Sequence, residues 1–199
     1  SFFTPVVSGV MVVQLRSEEI KNVAQIKELI VTIGITHFIC VPSLYRSLLE
    51  ICTDKDLLSL KTVTLAGEQL HPDIMEKSKH LHPLLEISNE YGPTEGSVVA
   101  TVCRNVRPGG IITIGKPIAN AGVYIIDQYD KISPIGIPGQ LAISGRGLAR
   151  GYLNQSELTA EKFIKYRSYK PYKTNIIYKT GDLARWLTDG DIEFLGQID

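Results

Sequence analysis

The uneven distribution of glycine is the feature that most constrains how this chain can fold. Residues 1–91 contain three of the 17 glycines of the 199-residue chain, and residues 92–199 contain the other 14. Glycine marks tight turns and is unfavourable inside helices and strands. The distribution therefore predicts a first half of helices and strands with few tight turns. It predicts a second half of strands joined by turns, with a change of architecture near residue 92 or soon after.

The first half alternates helical and strand patterns. Apolar residues at helical spacing predict a helix that Ser17 caps and Gly34 ends. Strands are predicted over 36–41, 62–66 and 84–88, with helices over 44–52 and 72–79 between them. This order is typical of a parallel sheet covered by helices, whose ligands bind beyond the carboxyl ends of the strands. Those ends are the segments 41–43, 66–69 and 89–95.

The second half has mainly strand patterns. The predicted strands are 111–114, 123–127, 140–144, 175–178, 183–187 and 192–195. The Asp-Gly step within residues 188–191 indicates a hairpin, and a short helix is predicted from Ser156. We therefore expect an α/β fold, with a helix-covered parallel sheet in residues 1–108. A mostly antiparallel, barrel-like β region is expected in residues 109–199.

Composition argues against several classes of protein. Basic and acidic residues number 21 each, so neither a nucleic-acid partner nor a membrane-surface partner is expected. The chain has three cysteines without a Cys-x-x-Cys pair and four histidines without metal-ligand spacing, which argues against a disulfide framework or a zinc site. No 18-residue apolar run is present, and the N-terminal segment lacks the basic start of a signal peptide. A cytoplasmic protein is expected.

Two glycine-containing segments approach nucleotide-binding motifs and depart from them. Residues 110–117 resemble a phosphate-binding loop, but the interior favours a strand and Pro117 replaces the hydroxyl residue that would contact magnesium. Residues 145–151 resemble a dinucleotide fingerprint, but the second gap has three residues and no strand-helix-strand unit surrounds it. Neither segment is expected to bind nucleotide in these ways.

The densest polar cluster is the segment 89–95, Asn-Glu-Tyr-Gly-Pro-Thr-Glu. Thr94 can donate to a phosphate oxygen, Glu95 can supply a hard oxygen to Mg²⁺, and Tyr91 can stack on a base. Taken alone, these residues favour a simpler interpretation, in which Thr94 caps a turn and Glu95 is solvated.

Four segments in a fixed order make the sequence recognisable. They are NEYGPTE (89–95), GQLAISGRGLARGYL (139–153), YKTGDLARW (178–186) and DGDIEFLGQID (189–199). They resemble the signatures NxYGPTE, GELxIxGxGxARGYL, Y+TGDL and GRxDxQVK of adenylate-forming enzymes. The resemblance is strongest to the amino-acid adenylation domains of nonribosomal peptide synthetases, and it extends over essentially the whole chain.

The resemblance implies an ATP-dependent ligase reaction. The substrate amino acid attacks the α-phosphate of ATP and gives aminoacyl-AMP and pyrophosphate. The aminoacyl group then passes to the phosphopantetheine thiol of a carrier domain, next to a condensation domain of the same synthetase. ATP and Mg²⁺ are the implied cofactors, and secondary metabolites such as peptide antibiotics are the implied products.

The resemblance also assigns roles to individual residues. Thr94 matches the α-phosphate contact and Glu95 the Mg²⁺ ligand, and these two are the catalytic candidates. Asp182 matches the carboxylate that binds the ribose hydroxyls, and Asp199 matches the hinge to a smaller subdomain. The remaining nucleotide-binding positions correspond to Gly67, Glu68, Asn89, Tyr91, Phe194 and Gln197. Gln197 stands where the family usually has Arg, which predicts weaker nucleotide binding.

The resemblance places six residues around the substrate side chain: Cys40, Thr64, Ala66, Glu90, Val98 and Val99. Small and apolar walls with room beside Ala66 favour a large aromatic or apolar amino acid, with tyrosine the leading candidate. Arginine is the alternative, because a cation would pair with Glu90. If Glu90 faces solvent instead, the pocket is simply apolar.

The resemblance further implies that functional parts lie outside this chain. The phosphate loop and the Asp that holds the substrate amino group would precede Ser1, and the catalytic Lys would follow Asp199. The 199 residues alone are therefore expected to be inactive. Two other functions stay open at this point: another adenylate-forming ligase, such as an acyl- or aryl-CoA synthetase, and a non-catalytic scaffold.

Overall fold

The computed structural model describes residues 7–167 and 174–198. Within them the helices are α1 Val23–Ile33, α2 Pro42–Ile51, α3 Pro72–Leu81 and α4 Ser156–Lys162. Short 3-10 turns cover Glu19–Lys21, Asp54–Leu57 and Thr94–Gly96. The strands are β1 His37–Cys40, β2 Thr62–Ala66, β3 Glu86–Tyr91, β4 Thr101–Cys103, β5 Lys116–Pro117, β6 Ala121–Ile126, β7 Gly139–Gly145, β8 Phe163–Arg167, β9 Thr174–Trp186 and β10 Ile192–Gln197.

The first sheet has the strand order β1-β2-β3-β4-β5. Strands β1 to β3 are parallel, as predicted, whereas β4 and β5 join antiparallel and make the sheet mixed. Helices α1, α2 and α3 cover one face, where Leu48, Leu65 and Ile87 are almost completely buried. On the opposite face Ile39 is 66% exposed, so among residues 7–167 and 174–198 no helix covers this side of the sheet at Ile39.

The second sheet is antiparallel, with the order β10-β9-β7-β6 and with β8 paired to β9. Side chains pack on both of its faces, around Ile125 and Leu141 on one and around Ala142 and Ile177 on the other. The predicted fold class, an α/β layer followed by a barrel-like antiparallel region, is therefore confirmed.

Several predicted element boundaries were wrong. Helix α1 begins at Val23, and its cap is Asn22 rather than Ser17, because the Asn22 side chain accepts from the backbone N–H of Gln25. One continuous strand, β9, replaces the two predicted strands 175–178 and 183–187. Gly181 lies where the register between β9 and β7 shifts, and the strand continues through it. Residues 111–114 form no strand, and β4, β5 and β8 were missed because they are short or follow a helix directly.

Residues 113–116 connect the two sheets. Gly115 bridges Ile192, with Ile114 N donating to Ile192 O at 2.8 Å and Ile192 N to Gly115 O at 2.9 Å. The strand β5 that follows pairs with the first sheet although it lies after residue 108. The boundary between residues 108 and 109 stays a prediction. No helix in the described part of the chain is long and apolar enough to cross a membrane.

Candidate functional site

A cleft of about 740 Å³ lies where the ends of β2 and β3 face β9 and β10. Among the residues that line it are seven of the predicted nucleotide-binding positions: Gly67, Glu68, Asn89, Tyr91, Asp182, Phe194 and Gln197. These seven residues come from segments far apart in the chain, and they meet only in the folded structure. Thr94 is exposed and does not line this cleft.

Gly67 and Glu68 form the wall that follows β2. Gly67 has a φ of +87°, a conformation that favours glycine. The Glu68 carboxylate accepts from Ser43 N and from Ser43 Oγ, both at 2.9 Å. Ser43 lies in the first turn of α2, so Glu68 satisfies an N-terminal amide of that helix. The Glu68 side chain is thus engaged, which leaves its backbone as the part available to a ligand.

Asn89 lies near the end of β3 and is 4% exposed. Its side-chain Nδ2 donates to Thr113 O at 2.8 Å, and Thr113 Oγ1 donates to Asp191 Oδ2 at 3.0 Å. Asn89 therefore fixes the segment that connects the two sheets, beside the cleft that it lines.

Tyr91 and Asp182 are joined by a short hydrogen bond across the cleft, from the Tyr91 hydroxyl to Asp182 Oδ2. Burial raises the pKa of Asp182, against the lowering effect of the hydrogen bond from the Tyr91 hydroxyl. Burial and the hydrogen bond to Asp182 also raise the pKa of Tyr91, which keeps its hydroxyl protonated as a donor. The Tyr91 ring lies 6.0 Å from the ring of Phe194, centroid to centroid.

The position of Asp182 depends on the irregular part of β9. Thr180 Oγ1 donates to Leu141 O at 2.7 Å and accepts from Asp182 N at 3.0 Å. Such irregularities in a strand redirect side chains. Gln197 in β10 is the register partner of Asp182, so these two predicted nucleotide-binding residues lie side by side.

Glu95 lies in the 3-10 turn after β3 and is held by a tyrosine. The Tyr152 hydroxyl donates to Glu95 Oε1 at 2.6 Å, and the Tyr178 hydroxyl lies 3.3 Å from that of Tyr152. Burial alone would raise the pKa of Glu95, but hydrogen bonds from the Tyr152 hydroxyl, from its own backbone N–H and from the Tyr178 hydroxyl hold the pKa below its ordinary value. The Phe163 ring packs against both tyrosine rings, at centroid distances of 5.7 and 4.9 Å.

Sequence reasoning missed Tyr152, Tyr178 and Phe163. Two of them stand inside the motifs that carry the resemblance, Tyr152 in ARGYL and Tyr178 in YKTGD. That placement was the available signal, but nothing in the motifs shows that Tyr152 meets a carboxylate 57 residues earlier.

The residues present are compatible with a magnesium ion bound together with nucleotide phosphates. In residues 7–167 and 174–198, no three His, Cys, Asp or Glu side chains cluster closely enough to hold a metal by themselves. Magnesium commonly takes only one or two protein carboxylates and completes its shell with phosphates and water. A Glu95 kept ionised fits that role.

Three of the six predicted pocket residues share one face of the first sheet. Ala66 pairs in register with Glu90, and Thr64 lies two residues before Ala66. Cys40 is not on that face, because it pairs in register with Leu65 and packs against the helix-covered core. Burial raises the pKa of the Cys40 thiol to about 12. Since alternate residues of a strand face opposite sides, Cys40 lies on the other face of the sheet from Thr64 and Ala66, and its part in a substrate pocket stays a prediction.

Val98 and Val99 follow the 3-10 turn beside the end of β3. Val98 is 65% exposed and has a φ of +74°, which is rare for a β-branched residue. The turn packs on Gly92, where an added Cβ would lie 2.5 Å from Val98 O. Asp199, the predicted hinge, lies outside the described residues.

Comparison with known proteins gave matches over the whole chain. Residues 1–153 match the family of AMP-binding enzymes. Tyrocidine synthase 3 of Brevibacillus parabrevis is 50% identical over 200 residues, which cover 100% of this chain and 3% of that protein. The chain therefore spans only a small fraction of the length of the curated relative that it matches.

Two solved structures have the same fold. PA1221, described as an NRPS protein containing adenylation and PCP domains, matches with a TM-score of 0.80 and 26% identity over 88% of this chain and 31% of its own. The protein CmiS6 matches with a TM-score of 0.88 and 26% identity over 98% of this chain and 48% of its own.

Proposed function

Because this chain belongs to the AMP-binding enzyme family, we propose that it is part of an adenylation domain that activates an amino acid for nonribosomal peptide synthesis. The observation that carries the proposal is the cleft between the two sheets, where residues of three separate motifs meet. The similarity to a tyrocidine synthase and to an NRPS protein favours a peptide synthetase over an acyl- or aryl-CoA synthetase. A protein that serves only as a scaffold would not need a half-buried carboxylate, Asp182, that lines an open cleft.

The proposed site divides the binding of ATP between the two sheets. Gly67, Asn89 and Tyr91 of the first sheet would surround the base, with the Tyr91 ring as the stacking surface. Asp182 of the second sheet would accept hydrogen bonds from the ribose hydroxyls, which suit a carboxylate acceptor. Gln197 beside it brings a neutral amide instead of a cation.

The reaction that we propose needs little covalent chemistry from the protein. An oxygen of the amino acid carboxylate forms a bond to the α-phosphorus, and the bond from that phosphorus to the bridging oxygen breaks and releases pyrophosphate. Thr94, exposed on the turn, would donate to the α-phosphate, and Glu95 would hold Mg²⁺. The metal, when bound, would neutralise charge on the phosphates. The other contribution of the chain is positioning of two anions.

The proposed substrate is a large aromatic or apolar amino acid, with tyrosine the leading candidate. Thr64 and Ala66 are small side chains on one face of the first sheet, and Glu90 lies at the end of that face. Within the described residues, the Glu90 carboxylate forms no hydrogen bond or ion pair. It is therefore available to a polar group at the tip of a substrate, and arginine stays the alternative.

The proposed partners are a carrier domain with its phosphopantetheine arm and a condensation domain of the same synthetase. The presence of adenylation and PCP domains together in PA1221 supports the carrier domain.

Amino-acid-dependent exchange of pyrophosphate into ATP tests this function in the full-length protein. All twenty amino acids are assayed with wild type and with Glu90→Gln. We expect exchange that is fastest with tyrosine or another large aromatic or apolar residue. Absence of exchange with every amino acid contradicts the adenylation function. A preference for glycine or aspartate contradicts only the pocket interpretation, and a preference for arginine that Glu90→Gln abolishes supports the alternative substrate.

A further inference from the structure

The turn that carries Glu95 is attached to the segment 147–152 by three contacts. Ala149 N donates to Glu95 O at 2.7 Å, and Ser97 Oγ donates to Gly147 O. The third contact is the hydrogen bond from the Tyr152 hydroxyl to Glu95 Oε1. The first two fix the main chain of the turn, and only the third reaches the carboxylate.

Tyr152 is itself held rigidly. Its backbone N–H donates to Thr159 Oγ1 of α4 at 2.9 Å, and its ring meets that of Phe163 edge to face. Space at this point is tight, because a Cβ added to Gly151 would lie 2.5 Å from Thr159 Cγ2. Because both the backbone and the ring of Tyr152 are held, its hydroxyl has one position. It can therefore determine where the Glu95 carboxylate lies.

We propose that Tyr152 is a positioning residue that fixes the Glu95 carboxylate for magnesium-bound nucleotide, with the Tyr178 hydroxyl supporting it. This inference rests on the proposed function and adds a role for a residue outside the cleft. A glutamate side chain has several rotamers, and a hydrogen bond to one of its carboxylate oxygens selects among them. Groups that hydrogen-bond a metal ligand typically change metal affinity by about tenfold to a hundredfold when they are removed.

The test compares Tyr152→Phe with wild type in the full-length protein. Calorimetry measures ATP affinity without amino acid, both over a Mg²⁺ series and in EDTA, so that no turnover is needed. We expect the gain in ATP affinity that Mg²⁺ provides to fall about tenfold or more, while the affinity in EDTA stays at the wild-type value. Equal losses with and without Mg²⁺, or no loss, would overturn the proposal, since a packing role does not distinguish the two conditions.

Two further variants sharpen the result. Tyr124→Phe is the matched control, because Tyr124 packs on Tyr166 away from Glu95, and its affinities should equal those of wild type. In a Glu95→Gln background, Tyr152→Phe should add less than about a twofold change, whereas an added loss of tenfold would overturn the proposal.

Thermal unfolding checks that Tyr152→Phe is folded. If Tyr152→Phe does not fold, Tyr178→Phe is tested in its place. This variant must also lose part of the gain in ATP affinity that Mg²⁺ provides, by a smaller factor, and if it shows no such loss the proposal is overturned. A failure of the proposed function would be seen separately, because the wild-type protein would then show no amino-acid-dependent exchange of pyrophosphate into ATP.

Discussion

Replacing Asp182 with Ala tests the ribose contact, on which the assignment of the cleft depends. The side chain lies half-buried between the sheets, and the Tyr91 hydroxyl donates to only one of its oxygens, Oδ2. The other oxygen is the expected acceptor for the ribose hydroxyls. Burial raises the pKa of Asp182, which shows that its carboxylate is partly withdrawn from water.

The expected magnitude follows from the charge on the acceptor. A hydrogen bond to a charged group contributes about 1.5–3 kcal/mol. Because about 1.4 kcal/mol corresponds to a factor of ten, Asp182→Ala should weaken ATP binding by about tenfold to 150-fold. Asp182→Asn, which keeps an acceptor for Tyr91 and loses the charge, should show a smaller loss.

The assay measures equilibrium affinity for ATP and for 2′,3′-dideoxy-ATP in the full-length protein. The loss in Asp182→Ala should appear with ATP and be absent with the dideoxy nucleotide, which has no hydroxyl to bind. Asp189→Ala is the control, since the Asp189 carboxylate caps the β9–β10 turn by accepting from Asp191 N at 3.0 Å and lies outside the cleft. An equal loss for both nucleotides, or an equal effect of the control, would refute the ribose assignment.

Two further predictions concern stability. Gly115→Ala should strongly lower the free energy of unfolding measured in urea, because the φ of Gly115 is +72° and an added Cβ would lie 2.0 Å from Val102 O. Gly110→Ala is the control, since an added Cβ there would meet nothing within 4 Å, and it should have a far smaller effect. Asp56→Asn should destabilise the protein at neutral pH, because hydrogen bonds from Thr53 hold the pKa of Asp56 at about 2. That stabilisation is fully present above the ordinary pKa of 3.8 and shrinks as the pH falls through about 2, so a difference from wild type that is as large at pH 2 as at neutral pH would contradict it.

The sequence predicted the parts of the fold that depend on local patterns. Strand 62–66 was predicted at its observed bounds, and Gly34 ends α1 in the left-handed conformation, as expected of a C-terminal glycine. Gly181 has a positive φ as well, yet it lies within β9. The difference arises because β9 is held on both sides by other strands, a context that a local pattern does not contain.

The sequence by itself determined which segments would line the proposed nucleotide site, since Asn89, Tyr91, Asp182 and Gln197 belong to motifs readable in order along the chain. Only the tertiary structure decided how they meet: the hydrogen bond from Tyr91 to Asp182 spans 91 residues, and that from Tyr152 to Glu95 spans 57. Strand register likewise placed Cys40 on the core face, away from Thr64 and Ala66. Periodicity and capping act over a few residues, whereas these contacts depend on how two sheets pack, which no local spacing records.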